Sequence, residues 1–510
     1  MPLRSLNRQQ AWLFPPTLDE LIPGDHPVRF VAGIVDTLDD NLWRSLSIDL
    51  DGKPLGAPAY HPRALLSVWL YGFMTGTRSS RKLEDACRDQ VPYLWLTAWQ
   101  HPDHNTLWRF YKEHRSEMRH LFKLTVRTAV RMDLVDLAVQ AVDGSKIQAN
   151  AAKDRTYDSA GLHRLLQHTD MVIHELEMQN ETDDSPLPVH LPEKLSQAQI
   201  LRTKIKAAMV QLAGEDGLKP VNLTDGDARL VKSRHGIVAG YNVQAMVSPL
   251  KIKEAGRASG MLITAVDAVQ DADDHHQLIN MMRQAEEITG KKTDITLADA
   301  GYHSGVNVAA CEERKQRIAM PEAQDNRLKP AGHDRFNYHA GNDNYICPAG
   351  NALKFIEVRQ VGKRTVRVYG GLGSTCRECS AFGSCTKNRY RGRELLIGPF
   401  ETALRDHRVW MATPEAKEAY KRRKELSEPS FGIIKEQMGF RRFLLRGINN
   451  AKAEAVMVAT AFNMRMLCRV WHYQLNKAQQ ARLAAASILC RVWYFIKFGC
   501  VELPGGVAVV

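Results

Sequence analysis

The sequence lacks the long apolar runs of a membrane protein. No run among its 510 residues reaches the roughly 20 residues of a membrane span, and the N-terminus MPLRSLNRQQ lacks the apolar centre of a signal peptide. Cysteine is scarce and odd in number, with nine residues. An odd count without an export signal argues against a disulfide framework. We therefore expect a cytoplasmic protein with no membrane partner.

Outside one segment, the sequence has almost no net positive charge. Residues 351–450 hold 21 Lys plus Arg against 10 Asp plus Glu, whereas the other residues hold 48 against 47. A localised basic block is typical of proteins that bind polyanions, because each neutralised phosphate releases condensed counterions. The alternative is a solvated basic surface that only aids solubility.

The chain is too long for one hydrophobic core, and its pattern divides it into several regions. Residues 1–130 have helical periodicity. Strand and helix patterns alternate over residues 131–470, which predicts an α/β domain. Two insertions interrupt it, a pair of charged helices at 155–218 and a Gly-, Asn- and Cys-rich block at 324–400. Residues 471–510 form a helical tail.

The segment HPDHNTLWRFYKEHRSEMRHLFKLTVRTAVRM has a long amphipathic helical pattern, with Asp103 or Asn105 as a candidate N-cap. Leu107 would face inward, while Arg109 and Lys112 would face solvent. A helix, a polar turn and a basic helix outline a helix-turn-helix DNA reader, but an ordinary helical hairpin has the same pattern.

Three acids have the context of metal ligands. Asp143 in LAVQAVDG and Asp299 in DITLADAG each end an apolar strand before a Gly-containing turn. Glu428 precedes a helix, and Lys435 follows seven residues later, two turns along the same face. Converging carboxylates repel unless a cation is shared, and Mg²⁺ prefers carboxylate oxygens. Turn caps and a surface salt-bridge ladder are the alternatives.

Four cysteines form a second candidate metal site, which consists of Cys347, Cys376, Cys379 and Cys385. The pair Cys376 and Cys379 has C-x₂-C spacing, which suits a closed, structural zinc site. A reduced loop without metal is the main alternative, and an iron-sulfur cluster is another. Basic residues around the cluster, including Arg389, Arg391 and Arg393, suggest contact with a DNA backbone.

With these motifs the sequence resembles a DDE-class transposase of a bacterial insertion sequence, with an RNase H-like core. VDGSKIQANA resembles the first-aspartate strand, LADAGYHSG the second-aspartate motif, and EPSFGIIKEQMGFRRFLLRG the glutamate helix. The residues from HPRALLSVWLYG to PDHNTLWRFYKEH resemble an InsH-like N-terminal domain. The family's third motif is Tyr, two residues, Arg, three residues, Glu, six residues, Lys; Glu428 and Lys435 fit, whereas Tyr420 and Arg423 are each displaced by one position.

The resemblance implies binding of terminal inverted repeats in double-stranded DNA, then metal-dependent cleavage and strand transfer into target DNA. Asp143, Asp299 and Glu428 would hold Mg²⁺ or Mn²⁺, and the cysteines a structural Zn²⁺. The implied DNA-binding residues are Lys435, Arg423, Tyr420, Arg441, Arg442, Arg109 and Lys112. Action on two ends implies a homodimer on DNA at the nucleoid. A DNA-binding protein without catalysis and a metal-dependent nuclease without strand transfer are the alternatives.

Overall fold

The computed structural model describes residues 16–51, 58–182, 191–214, 219–233, 236–251, 260–322, 336–362 and 364–480. Most of the predicted tail, from residue 481 on, lies outside these ranges. None of the helices in these ranges combines the length and apolarity needed to cross a membrane.

The chain forms two compact units that alternate along the sequence. Unit 1 takes the residues up to Asp273, Met281–Lys292 and those from Lys424 onward. Unit 2 takes Asp274–Asn280 and Thr293–Arg423. Each unit is made of chain segments that are separate in sequence, whereas the predicted domains are continuous ranges. The predicted domain boundaries therefore remain a prediction.

Unit 1 begins with helices, as predicted. They are α1 (Pro27–Asp36), α2 (Asp40–Ser45), α3 (Pro62–Thr75), α4 (Ser80–Asp89), α5 (Val91–Leu96), α6 (His104–His114) and α7 (Arg119–Arg131). Residues 65–74 of α3 are all buried, so this helix is apolar on every face and lies in the core. It ends at Gly76, whose φ of +83° suits a left-handed C-cap.

The amphipathic pattern after Asp103 forms two helices, α6 and α7, because the chain turns at residues 115–118. The start was right: Asp103 is the N-cap of α6 and accepts from the amides of Asn105 (2.8 Å) and Thr106 (2.9 Å). Such caps satisfy amides that lack a partner in the first helical turn.

An antiparallel sheet follows in unit 1. Its strands are β1 (Val139–Gln148), β4 (Arg229–Ser233), β5 (Gly236–Pro249) and β6 (Met261–Val269). β5 is central: β1 pairs with it along one edge, and β4 and β6 pair with it along the other. The close approach of β1 needs glycine at 240, because a Cβ there would lie 2.4 Å from the Ile147 carbonyl oxygen.

The predicted pair of charged helices is present between β1 and β4. It consists of α8 (Ser159–Thr182) and α9 (Leu191–Gly214), flanked by the short paired strands β2 (Thr156–Tyr157) and β3 (Val221–Asn222). The helices bury a small cluster of their own, formed by Leu162, Ile205, Ala208, Leu212 and Val221. The helix pair is therefore stabilised by apolar contacts of its own.

Unit 2 contains a parallel strand pair and an antiparallel sheet. The parallel pair β7 (Ile295–Leu297) and β8 (Arg317–Ala319) flanks α11 (Gly305–Glu313). An antiparallel sheet in the order β13-β12-β11-β10-β9 follows. Its strands are β9 (Asn337–His339), β10 (Asn344–Ile346), β11 (Ala352–Val361), β12 (Arg364–Gly370) and β13 (Glu394–Ile397), with α12 (Gly373–Arg377) before β13.

Long helices complete the fold. They are α10 (Leu278–Thr289), α13 (Glu401–Ala412), α14 (Pro414–Gly432) and α15 (Ile448–Gln480). A π-helical turn, Ile433–Gln437, directly continues α14. The predicted α/β class with a helical N-terminal region is confirmed. α15 continues past residue 470, the predicted end of the α/β domain, to Gln480.

Candidate active site

Asp143 does not end a strand, so that prediction was wrong. It lies in the middle of β1, half-buried and opposite Ala245 of β5. Gly144 continues the pairing, opposite Gln244, instead of making a turn. The physical reason is the length of β5, which supplies a partner for every residue of β1 from Ala141 to Gln148. The Asp143 carboxylate therefore projects from a strand whose residues before and after Asp143 are paired with β5.

Asp299 lies where the sequence placed it, after β7 and one residue, Ala298. Its carboxylate caps the short helical turn Ala300–Tyr302 and accepts from the Gly301 amide at 2.9 Å. A Cβ on Gly301 would lie 3.0 Å from Asp299 Oδ1 and 3.7 Å from Asp274 Oδ2. The carboxylate of Asp274 therefore lies near that of Asp299. It was not predicted from the sequence, although it belongs to the acidic run DADD at residues 271–274.

The residues after Asp299 are held in place by Asn307. Its side-chain amide donates to the carbonyls of His275 (2.6 Å) and Tyr302 (2.7 Å). Tyr302 is fully buried and His303 packs against His407, with ring centroids 6.0 Å apart. Tyr302 is thus a core residue, and the turn that carries Asp299 is fixed by a buried hydrogen-bond network.

We expect acid to destabilise this region through the two histidines. Burial lowers the pKa of both His303 and His407 below the ordinary 6.5. The unfolded chain therefore takes up protons first, and stability is lost as pH falls below about 6.5 towards the folded pKa values. His407→Gln keeps a donor for the Met320 carbonyl, which His407 contacts at 2.8 Å. The drop in melting temperature from about pH 7.5 to about pH 5.5 should be smaller in this variant than in the wild type; an equal drop would contradict the assignment.

Glu428 does not precede a helix, which corrects the expectation. It lies inside α14, exposed, next to Pro429 within the helix. The π-helical turn that follows is marked by the bond from the Met438 amide to the Ile433 carbonyl at 3.1 Å. Lys435 lies inside this π turn, so the regular α-helical spacing that the sequence pattern assumed between Glu428 and Lys435 is not kept. Single π turns inside α-helices frequently occur at functional sites.

The segment after this turn is bonded to the strand of Asp143. We call residues 439–446 the arginine segment. The Gln148 amide donates to the Arg441 carbonyl (3.2 Å), and the Phe443 amide donates to the Gln148 carbonyl (2.8 Å). Asn150, just past β1, donates to the Leu444 carbonyl at 2.8 Å. Within unit 1, the strand of Asp143 is therefore linked by backbone pairing to the segment that follows the helix of Glu428, whereas Asp299 belongs to unit 2.

The remaining DNA-binding candidates lie on helices and in the arginine segment. Arg109 and Lys112 are exposed on α6, as expected. Arg441 and Arg442 are exposed; Arg441 pairs with Glu436, and Arg442 donates to Asn150 Oδ1 at 3.1 Å. The other candidates are half-buried: Tyr420 and Arg423 on α14, and Lys435 in the π turn.

The four cysteines lie in unit 2. All four line one cavity of about 220 Å³ beside α12. Burial, together with the nearby thiols of Cys376, Cys347 and Cys379, raises the pKa of Cys385. The Asn351 amide donates to Cys347 Sγ at 3.3 Å. Gly392, with a φ of +68°, leaves room where a Cβ would lie 2.9 Å from Cys376 Sγ.

The donor chemistry fits two kinds of cation. Carboxylate oxygens suit Mg²⁺ and thiolates suit Zn²⁺. In the part of the chain that the structure describes, no three His, Cys, Asp or Glu side chains are gathered as a ready metal site. The assignments therefore rest on residue type, on the shared thiol cavity and on the space beside Cys376.

Comparison with known families agrees with the sequence motifs. Residues 346–468 match the family described as Transposase DDE domain, and residues 16–113 match the Transposase domain (DUF772). The chain carries the domains of a DDE transposase. Its RNase H-like fold class is as predicted. Among curated proteins and solved structures, none matches the chain.

The first match covers Glu428, Lys435 and the four cysteines of this transposase, and the second covers Arg109 and Lys112. Asp143 and Asp299 lie outside both matched segments. Their assignment comes from the motifs and from the positions described above.

Proposed function

We propose that this transposase binds the terminal inverted repeats of an insertion sequence and catalyses DNA cleavage and strand transfer. The observation that supports it most is the pairing of Gln148 with Arg441 and Phe443. This pairing joins the strand of Asp143 to the segment that follows the helix of Glu428, and it puts exposed arginines beside the same elements.

Asp143, Asp299 and Glu428 would hold Mg²⁺ or Mn²⁺, since all three supply hard oxygen ligands. Bound ions would activate the attacking oxygen and stabilise the leaving one. In cleavage, water oxygen attacks phosphorus, the bond from phosphorus to the 3′ oxygen breaks, and that oxygen leaves as a hydroxyl. In strand transfer, this 3′ hydroxyl attacks a target phosphodiester and displaces a 3′ hydroxyl there.

The cationic side chains would position DNA. Lys435, with Arg423 and Tyr420, would hold the terminal nucleotide and its phosphates. Arg441, Arg442, Arg109 and Lys112 would contact the backbone, because exposed cations replace condensed counterions there. Two ends are cut in one reaction cycle, so the functional form would be a homodimer on DNA, at the nucleoid.

The cysteine cavity would hold one structural Zn²⁺. We expect one zinc per chain by elemental analysis, and its loss in Cys376→Ser together with a lower melting temperature. Removal of a structural zinc costs the folding free energy that binding supplies. Cys468→Ser, at a buried position of α15, is the matched control and should keep the zinc. Folded wild-type protein purified without zinc would refute the site.

Cleavage of a plasmid that carries both ends of the encoding element tests the proposed function. With Mg²⁺ we expect cut ends that carry 3′ hydroxyls, followed by joined products in target DNA. Cut ends without joined products would favour a nuclease, and binding without cutting would favour a DNA-binding protein without catalysis. Absence of both binding and cutting would refute the proposal.

A further inference from the structure

Arg78, between α3 and α4, is a buried cation at the base of the arginine segment. Its side chain is 8% exposed and pairs with Glu454 of α15, which is 2% exposed. Its guanidinium also donates to the carbonyls of Gly439 and Arg442, each at 3.2 Å, and lies 4.8 Å from the ring centroid of Phe440. One side chain thus contacts the first half of the arginine segment at three residues.

Glu454 holds the second half of the same segment. Its carboxylate accepts from the amides of Leu444 (3.0 Å) and Leu445 (3.3 Å). The two members of the ion pair therefore fix the backbone from Gly439 to Leu445. The arginine side chains that this backbone carries are exposed.

The N-terminal helices contact the chain just before this segment as well. A Cβ on Gly76 would lie 3.1 Å from the Met438 carbonyl oxygen, so the two backbones touch. Arg465 of α15 bridges the Met74 carbonyl and Gln437 Oε1, both at 2.8 Å. The end of α3 is therefore packed against the end of the π turn.

Stability alone is a poor explanation for the buried pair. Desolvation of two charges offsets much of their attraction, and apolar replacements of such pairs are often neutral or stabilising. An apolar pair would lose the hydrogen bonds to four backbone groups of the arginine segment. These groups are two carbonyls, which accept from Arg78, and two amides, which donate to Glu454. These bonds fix the course of the segment and, through it, where its side chains emerge.

We propose that Arg78 is a positioning residue for DNA binding. Through its bonds to Gly439 and Arg442 and its pair with Glu454, the N-terminal transposase domain sets the arginine segment for contact with DNA phosphates. This inference rests on the proposed DNA-binding role of that segment. It assigns the N-terminal domain a part in DNA binding that does not require its own surface to touch DNA.

The test replaces the pair with apolar residues, Arg78→Met with Glu454→Met. We expect a melting temperature close to the wild type, but about tenfold weaker binding to duplex DNA and a shallower salt dependence, since phosphate contacts set that slope. The matched control, Lys123→Met with Glu287→Met, removes an ion pair of 2.9 Å in unit 1 with the same change in charge. It should bind like the wild type.

A second variant keeps the experiment decisive if the double variant does not fold. Arg78→Lys retains the charge beside Glu454 but gives up the planar set of donors, so weaker binding is again expected. Wild-type affinity and salt dependence in the folded double variant, or in Arg78→Lys, would overturn the inference. If replacement of the segment's arginines also leaves binding unchanged, the proposed function of the segment fails; if only the Arg78 variants bind normally, this inference alone fails.

Discussion

Asp143→Asn and Asp299→Asn should each abolish Mg²⁺-dependent cleavage of the element's ends. Loss of one anionic metal ligand removes several kcal/mol of transition-state stabilisation, which corresponds to a rate lower by about 10³-fold or more. Asparagine keeps the side-chain oxygen that accepts from Gly144 (3.0 Å) or Gly301 (2.9 Å), so the local fold should persist. DNA binding should be nearly unchanged.

The matched control for these variants is Asp267→Asn. Asp267 is an acid of the same sheet, on β6, and pairs with Lys452 at 3.2 Å. It is in neither motif, so its replacement should leave cleavage near the wild-type rate. Cleavage at the wild-type rate by either motif variant would remove that aspartate from the catalytic set. The measurement is the initial rate of strand cutting at saturating protein.

Replacement of Arg441, Arg442 and Arg446 by alanine should produce the largest loss of DNA binding. All three are exposed, and the segment that carries them is fixed by β1 and by the Arg78 pair. If each contacts one phosphate, the slope of log affinity against log salt should fall by about 0.9 per arginine, and affinity at moderate salt by about 10²-fold. Fluorescence anisotropy at several salt concentrations measures both quantities.

A control with the same change in charge separates contact from general attraction. Arg164, Lys204 and Lys206 are exposed on the helices α8 and α9, and their replacement by alanine should change affinity only slightly. Equal losses in the two triple variants would show that the basic segment acts through net charge alone. The proposed phosphate contacts of the three arginines would then be wrong.

Local patterns in the sequence were enough for several features. The helical N-terminal region, the Asp103 cap and the strand before Asp299 were all predicted, because periodicity and capping depend on neighbours within a few residues. The motifs around Asp143, Asp299 and Glu428 also indicated a transposase, and the matched families agree. Charge counted along the chain pointed to the basic block that contains the arginine segment.

Only the tertiary structure decided where several of these residues lie. Asp143 stands mid-strand because β5, about a hundred residues later, continues to pair past Gly144. Cys347 reaches the Cys376 pair through the packing of an antiparallel sheet that the sequence did not reveal. The bond between Arg78 and Glu454 joins residues 376 positions apart. Strand pairing and buried ion pairs depend on partners that are distant in sequence. A local sequence pattern therefore does not predict which residues will pair.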